Sequence, residues 1–63
     1  MMSILQELIG RKVSVYSNQP GAERQDVGFL EAVDETWVKI RKSEHEVIFF
    51  CTHLVRLVKP FQN

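Results

Sequence analysis

The chain has 63 residues, enough for one small domain, and its eight basic and eight acidic side chains give a formal net charge of zero. A chain of this size buries only about 60% of the surface that its unfolded form exposes, so small domains usually add a disulfide, a metal or self-association. Zero net charge excludes a general electrostatic attraction to nucleic acid or to anionic membranes, and any such contact must come from local placement.

Cysteine and histidine are too few to supply the first two of these. Cys51 is the single cysteine, which excludes an internal disulfide and favours a reducing compartment. Cys51 and His53 alternate onto one strand face, but His45 is the only other soft ligand, too few for a tetrahedral zinc site. No spacing indicates a catalytic triad. We therefore expect no metal, no cofactor and no enzymatic activity, and self-association is what remains.

No segment has the pattern of a targeting or membrane-spanning sequence. The N-terminus lacks a basic start followed by a long apolar run, and no stretch approaches about 18 consecutive apolar residues. We expect a cytoplasmic protein that makes no membrane contact.

The N-terminal stretch MMSILQELIG has the signals of a short amphipathic helix. Ser3 and Gln6 have the spacing of a capping box, and Gly10 suits a left-handed stop. The apolar residues between them fall on one side of about two turns: Ile4, Leu5, Leu8 and Ile9. We predict a helix over residues 3–9, which is too short to be stable alone and so covers the core.

From Lys12 onward the hydrophobic period is two, which is typical of strands with one buried face. We predict strands at about residues 11–17, 26–33, 37–42, 46–51 and 54–59. The polar stretch SNQPGAERQD, residues 17–26, contains Pro-Gly and is predicted as the one long loop. Pro60 ends the last strand, because proline cannot donate a ladder hydrogen bond.

The second strand contains a glycine where a strand is expected to be regular. Gly28 indicates a bend or a close approach of another backbone. Beyond it, strict alternation places Leu30 and Ala32 on one face and Phe29 and Glu31 on the other. Five short antiparallel strands cannot bury a core as a flat sheet. The predicted fold is a single, mostly β domain over residues 1–63, with a short N-terminal helix and a strongly bent five-stranded antiparallel barrel.

The stretch DETWVKIRK contains the only tryptophan, Trp37, beside alternating apolar and basic residues. Val38 and Ile40 are the better core residues, because an inward Lys39 would leave a buried ammonium without a partner. The outward residues of this strand are then Trp37, Lys39 and Arg41. An aromatic ring with two cations suits base stacking and phosphate contact, and it suits a subunit contact or a plain surface ladder as well.

The last two strands, VIFFC and LVRLV, are apolar on both faces, although antiparallel strands usually show one face to water. A scattered exposed hydrophobe needs no explanation, but a continuous row on adjacent strands does. We predict that the second face is covered by another copy of the chain. The residues assigned to this oligomer interface are Val47, Ile48, Phe49, Phe50, Cys51, Val55, Leu57 and Val58.

Two stretches carry a family resemblance. GFLEAVDETWVKI is similar to a motif of a glycine, a spaced apolar residue and an acid before a turn, carried here by Gly28, Leu30 and Asp34. VIFFCTHLVRLVKP is similar to a closing segment in which His53 and Pro60 occupy the matching positions. Together, over roughly residues 3–60, they resemble the Sm-like (LSm/Hfq-like) family of small β-barrels.

The resemblance implies binding of single-stranded RNA by a closed ring of roughly six or seven copies, in which the fourth strand of one copy pairs with the fifth of the next. Trp37 then occupies the place of a base-stacking aromatic residue. Glu35 and Thr52 stand where Hfq-like members carry glutamine and lysine, a change that weakens attraction to phosphate. The candidate RNA-binding residues are Trp37, Lys39, Arg41, Glu35, Thr52 and His53. The alternative is an SH3-like protein-interaction or structural barrel with no nucleic-acid role.

Overall fold

The structure is a computed structural model that describes residues 4–62. An N-terminal 3₁₀ helix, Ile4–Leu8, precedes five strands, and a short 3₁₀ turn, Thr52–Leu54, separates the last two. The strands are β1 (Lys12–Gln19), β2 (Ala22–Val33), β3 (Trp37–Ser43), β4 (Glu46–Cys51) and β5 (Val55–Pro60). They form one antiparallel sheet in the order β4-β3-β2-β1-β5. The predicted mostly β fold with five antiparallel strands is thereby confirmed.

The sheet is not closed into a barrel, so the predicted bent five-stranded barrel holds only for its five antiparallel strands. β4 and β5 are its two outer strands. Although they are consecutive in the chain and separated by only 3 residues, each pairs with a different inner strand, β4 with β3 and β5 with β1. Such a short connection between opposite edges requires a strongly curved sheet whose edges approach each other at one end.

The N-terminal segment is a 3₁₀ helix of 5 residues and not the predicted helix over residues 3–9. A 3₁₀ helix has about three residues per turn, so residues three apart share a face. Leu5 and Leu8 accordingly pack against the core, whereas Ile4 and Ile9 are exposed. The capping interaction predicted for Ser3 lies outside the described residues. Within residues 4–62, no helix has the length and apolar character that crossing a membrane requires.

The predicted long loop over residues 17–26 is wrong, because most of it is strand. β1 and β2 pair without interruption from Lys12 opposite Phe29 to Gln19 opposite Ala22. Only Pro20 and Gly21 form the turn. The ladder at this end is built from backbone hydrogen bonds between polar residues, so the hydrophobic alternation that marks the other strands is missing.

β2 changes partners halfway along its length. Residues 22–29 pair with β1, and residues from Phe29 to Val33 pair with β3. A Cβ atom at Gly28 would lie 2.6 Å from Ile40 Cγ2 and 2.7 Å from the carbonyl oxygen of Arg41. The close approach predicted for Gly28 is confirmed, since only a residue without a side chain lets β3 pass this point.

A bulge in β2 reverses the predicted alternation beyond Leu30. The register between β2 and β3 shifts between Leu30 and Ala32. Leu30 and Val33 are therefore buried, and Ala32 is exposed. The prediction that Ala32 shares the face of Leu30 is wrong, because the extra residue of a bulge moves every following side chain to the opposite face.

The buried apolar residues form one cluster inside the curved sheet. Its members are Val13, Val15, Leu30, Val33, Val38, Ile40 and Phe50. The prediction that Val38 and Ile40 point inward is confirmed. At one end of this interior the Asp26 carboxylate, 3% exposed, lies 2.8 Å from Arg24 Nε and 3.0 Å from Lys42 Nζ. Both cations compensate the buried charge and are thereby committed to the fold.

Candidate functional site

The outer face of β3 carries the aromatic and basic residues that the sequence assigns to ligand binding. Residues directly opposite each other in an antiparallel pair share a face. The pairs on this face of β3 and β4 are Trp37 with Cys51, Lys39 with Phe49, and Arg41 with Val47. Trp37 is 49% exposed and Phe49 is 59% exposed. The outward orientation predicted for Trp37 is confirmed.

An open cavity of about 450 Å³ lies over this part of the sheet. Its walls are formed by Ala32, Val33, Asp34, Trp37, Lys39 and Phe49. Lys39 Nζ lies 5.9 Å from the centroid of the Phe49 ring, within the range of a cation–π contact. We call Trp37, Lys39, Phe49 and this cavity the Trp37 surface. It offers two exposed rings and a single ammonium.

Glu31, on β2, neutralises the cations of this face. Its carboxylate accepts hydrogen bonds from Arg41 Nε and, at 3.2 Å, from Arg41 Nη2, and Lys39 Nζ lies 3.5 Å away. The Arg41 hydrogen bonds hold the pKa of Glu31 below its ordinary value, against the opposing effect of desolvation. The same pairing raises the pKa of Arg41. The two cations predicted to contact phosphate therefore already share a carboxylate.

Glu31 is the residue that reasoning from sequence did not assign to the site. The alternation in β2 does indicate that Glu31 points outward. Its position beside Lys39 and Arg41 depends on the β2–β3 register, and the bulge after Leu30 sets that register. A cross-strand charge pair of this kind is visible only once the register is known.

Asp34 builds the turn that delivers Trp37 to the outer face. One carboxylate oxygen accepts hydrogen bonds from the backbone N–H groups of Thr36 and Trp37, both at 2.7 Å. The bond from Trp37, followed by that from Thr36, holds the pKa of Asp34 below its ordinary value. An acid that closes its own turn in this way is a common device for starting a strand.

Thr52 ties the 3₁₀ turn before β5 to the turn between β2 and β3. Its N–H donates to the Thr36 carbonyl at 2.7 Å, and its hydroxyl donates to the Glu35 carbonyl at 2.8 Å. His53 follows on the same turn and is exposed. The structure therefore brings Glu35, Thr52 and His53 to the end of the sheet where β3 begins at Trp37. Thr52 serves there as a backbone anchor.

The candidate interface residues of β4 and β5 differ in orientation. Phe50 points into the core, which accounts for its apolar character without a partner. Three more pack partly against the core: Ile48, Val55 and Val58. Phe49 and Leu57 are the large exposed members, and Val47 and Cys51 are half-buried. Phe49 and Leu57 therefore offer the most apolar surface for another copy of the chain.

The described residues hold no evident metal site, and the chain has no match among known proteins. No group of 3 or more His, Cys, Asp or Glu side chains within residues 4–62 could hold a metal ion.

The chain matches no protein-family model, no curated protein and no solved structure. The resemblance of its two motifs to the Sm-like family therefore stays a prediction from those residues.

Proposed function

We propose that this chain is a non-enzymatic, Sm-like protein that assembles into a ring and binds single-stranded RNA at the Trp37 surface. The open sheet is the observation that carries the proposal. β4 and β5 are its outer strands, and an outer strand presents backbone N–H and C=O groups that pair readily with another chain. A second copy satisfies these groups by adding its own strand.

The strand order supports a head-to-tail arrangement. If β4 of one copy pairs with β5 of the next, the sheet continues across the contact without leaving an edge between them. Such a contact is heterologous, and it generates a closed ring when the rotation between copies closes. The exposed Phe49 and Leu57 lie on these two strands. The family resemblance suggests roughly six or seven copies.

The Trp37 surface supports RNA binding through stacking. Trp37 and Phe49 expose rings beside one cavity, and an aromatic platform contributes about 1–3 kcal/mol per stacked base. Because Glu31 already pairs with Lys39 and Arg41, phosphate contact contributes little here. We therefore expect RNA affinity at this surface to change only weakly with salt concentration.

A second candidate function is that of an SH3-like protein-interaction domain with no nucleic-acid role. The ion pairs of Glu31 favour it, because they leave the Trp37 surface largely apolar and without free positive charge. Exposed aromatic rings around a cavity also suit an apolar or proline-rich peptide. Titration with short U-rich and A-rich RNA separates the two functions, since the second predicts no binding to either.

Assembly is tested by sedimentation and light scattering of the whole chain. We expect a stable species whose mass is a multiple of 7.3 kDa. Leu57→Asp, on the outer strand β5 and outside the Trp37 surface, should reduce it to the single chain, because an unpaired charge is unfavourable in a desolvated interface. Phe29→Asp is the matched control, since Phe29 is similarly exposed but lies on the inner strand β2. A stable monomer of the unmodified chain at micromolar concentration contradicts the proposal.

A further inference from the structure

The basic residues that have no carboxylate partner within residues 4–62 are gathered in one place. Of the eight basic residues, five are paired with carboxylates: Arg24 and Lys42 with Asp26, Lys39 and Arg41 with Glu31, and Arg56 with Glu23. The other three, Arg11, Lys12 and Lys59, have no carboxylate partner within residues 4–62. They lie where β1 begins and β5 ends, on the opposite side of the sheet order from β3 and β4.

Phe61 contacts two of these three cations, Arg11 and Lys12. Its N–H donates to the Lys12 carbonyl at 3.0 Å, and Arg11 Nη2 donates to the Phe61 carbonyl at 2.9 Å. Lys12 Nζ lies 5.2 Å from the centroid of the Phe61 ring. Lys59 is placed on the same face by its pairing with Ser14. We call Arg11, Lys12, Lys59 and Phe61 the Phe61 patch.

A second cavity, of about 430 Å³, opens beside this patch. Its size falls in the range of about 300–1,000 Å³ that is usual for small-molecule sites. Two aromatic side chains, one ammonium and three polar side chains contribute to its walls: Tyr16, Phe61, Lys59, Ser14, Gln25 and Gln62. It shares no lining residue with the cavity of the Trp37 surface.

The polar side of this cavity is already organised. Gln25 Nε2 donates to Ser14 Oγ at 2.7 Å and to Tyr16 Oη at 3.1 Å. Ser14 is 3% exposed, so its hydroxyl is a buried group held at the wall of the cavity. Both amide hydrogens of Gln25 are thus used, whereas no partner within residues 4–62 is seen for its carbonyl oxygen or for the hydroxyl hydrogens of Ser14 and Tyr16. The site offers donors and an acceptor in fixed positions.

We propose that this cavity binds a nucleoside phosphate. The planar base fits between polar groups that pair with its edge and rings that pack on its face, and the cations of the Phe61 patch hold the phosphate. The proposal goes beyond RNA binding at the Trp37 surface, because it needs neither that surface nor a ring. Free mononucleotides and the phosphorylated end of a strand share this chemistry.

The test is a calorimetric titration of the whole chain with adenosine 5′-monophosphate, with adenosine as the ligand that lacks only the phosphate. We expect the monophosphate to bind at least about tenfold more tightly, since a hydrogen bond to a charged group has that effect. Lys59→Gln should weaken its binding about tenfold and leave adenosine unaffected. Arg56→Gln removes the same charge at a residue that pairs with Glu23 and lines neither cavity, so it should change neither affinity.

Fluorescence locates the site. Trp37 is the only tryptophan and does not line this cavity, so saturation with the monophosphate should leave its emission unchanged. A 5′-phosphorylated oligonucleotide distinguishes the two sources of the phosphate. If it displaces the monophosphate and its binding is weakened equally by Lys59→Gln, the ligand is the end of a strand. If it does not displace the monophosphate, the ligand is the free nucleotide. The proposal is overturned if the monophosphate does not bind, if Arg56→Gln weakens its binding as much as Lys59→Gln, or if binding quenches Trp37.

Discussion

Two regions of the sheet's outer face, the Trp37 surface and the Phe61 patch, both combine aromatic and basic residues but differ in how their charges are paired. On the Trp37 surface, Glu31 lies beside both cations of the β3 row. Around Phe61, the cations have no carboxylate partner within residues 4–62. In a chain with zero net charge, the placement of each counterion therefore decides which surface attracts anions. The Trp37 surface is suited to stacking and the Phe61 patch to phosphate.

β3 has a buried side and an exposed side. The largest expected effect on stability comes from a substitution on the buried side. Ile40 is 0% exposed, so Ile40→Ala leaves a void and should lower the unfolding free energy by about 2–5 kcal/mol. Lys39→Ala, one residue away on the outer side, should cause a much smaller loss. Urea denaturation measures both, and equal losses would contradict the assigned faces.

Trp37→Ala tests whether RNA bases stack on an aromatic ring of the Trp37 surface. We expect it to weaken binding of single-stranded RNA by about 1–3 kcal/mol, because one stacking platform is lost. Phe29→Ala is the matched control, since Phe29 is similarly exposed but does not line the cavity. Filter binding measures the affinity, and thermal melting checks the fold. A large melting shift without an effect on RNA would indicate that the ring serves packing alone.

Glu31→Gln should leave the cations of the Trp37 surface without a carboxylate partner, as in the Phe61 patch. The change releases Lys39 and Arg41 from their shared carboxylate, so RNA affinity should rise at low salt. The plot of log affinity against log salt should steepen by about 0.7 for each cation that then meets a phosphate. Glu44→Gln, in the turn between β3 and β4, changes the net charge equally and is the control. An equal slope in both variants would contradict the role given to Glu31.

The orientation of β3 could be predicted from sequence because a strong physical penalty selects it. With one register, Lys39 would be buried without a partner, and with the other it reaches water. The hydrophobic alternation therefore had only one acceptable reading at Val38 and Ile40. The same reasoning identified Gly28, since a glycine inside an apolar strand indicates a close contact.

Other features depend on contacts between strands that a single sequence does not display. The hairpin of β1 and β2 is polar, so no alternation marks it, and backbone pairing alone extends it to Gln19 and Ala22. The bulge after Leu30 is an inserted residue with no distinctive composition. That bulge sets which residues of β3 lie beside Glu31. The neutralised charge of the Trp37 surface, and with it the contrast to the Phe61 patch, could therefore not be predicted from the sequence.

The smallest expected effect is the loss of folding stability at acid pH that arises from the carboxylates near the Trp37 surface. The pKa values of Glu31 and Asp34 are both lowered in the folded protein, the first by hydrogen bonds from Arg41 and the second by backbone N–H groups. A carboxyl whose pKa is lower when folded stabilises the fold above its unfolded pKa. That contribution is lost as the pH falls through the folded pKa. Stability should therefore be level near neutral pH and decline below about pH 4.

Paired variants attribute that decline to these two groups. Asp34→Asn keeps an oxygen that accepts the turn hydrogen bonds but removes the charge, so the turn should persist while its share of the pH dependence disappears. Glu31→Gln should do the same for the ion pairs. Because both groups are near solvent, each effect is modest and should shrink further in high salt. Urea denaturation between neutral and acidic pH measures it. If the stability of the double variant fell as steeply with pH as that of the unmodified chain, the acid sensitivity would arise from other groups. The two carboxylates would then not stabilise the Trp37 surface.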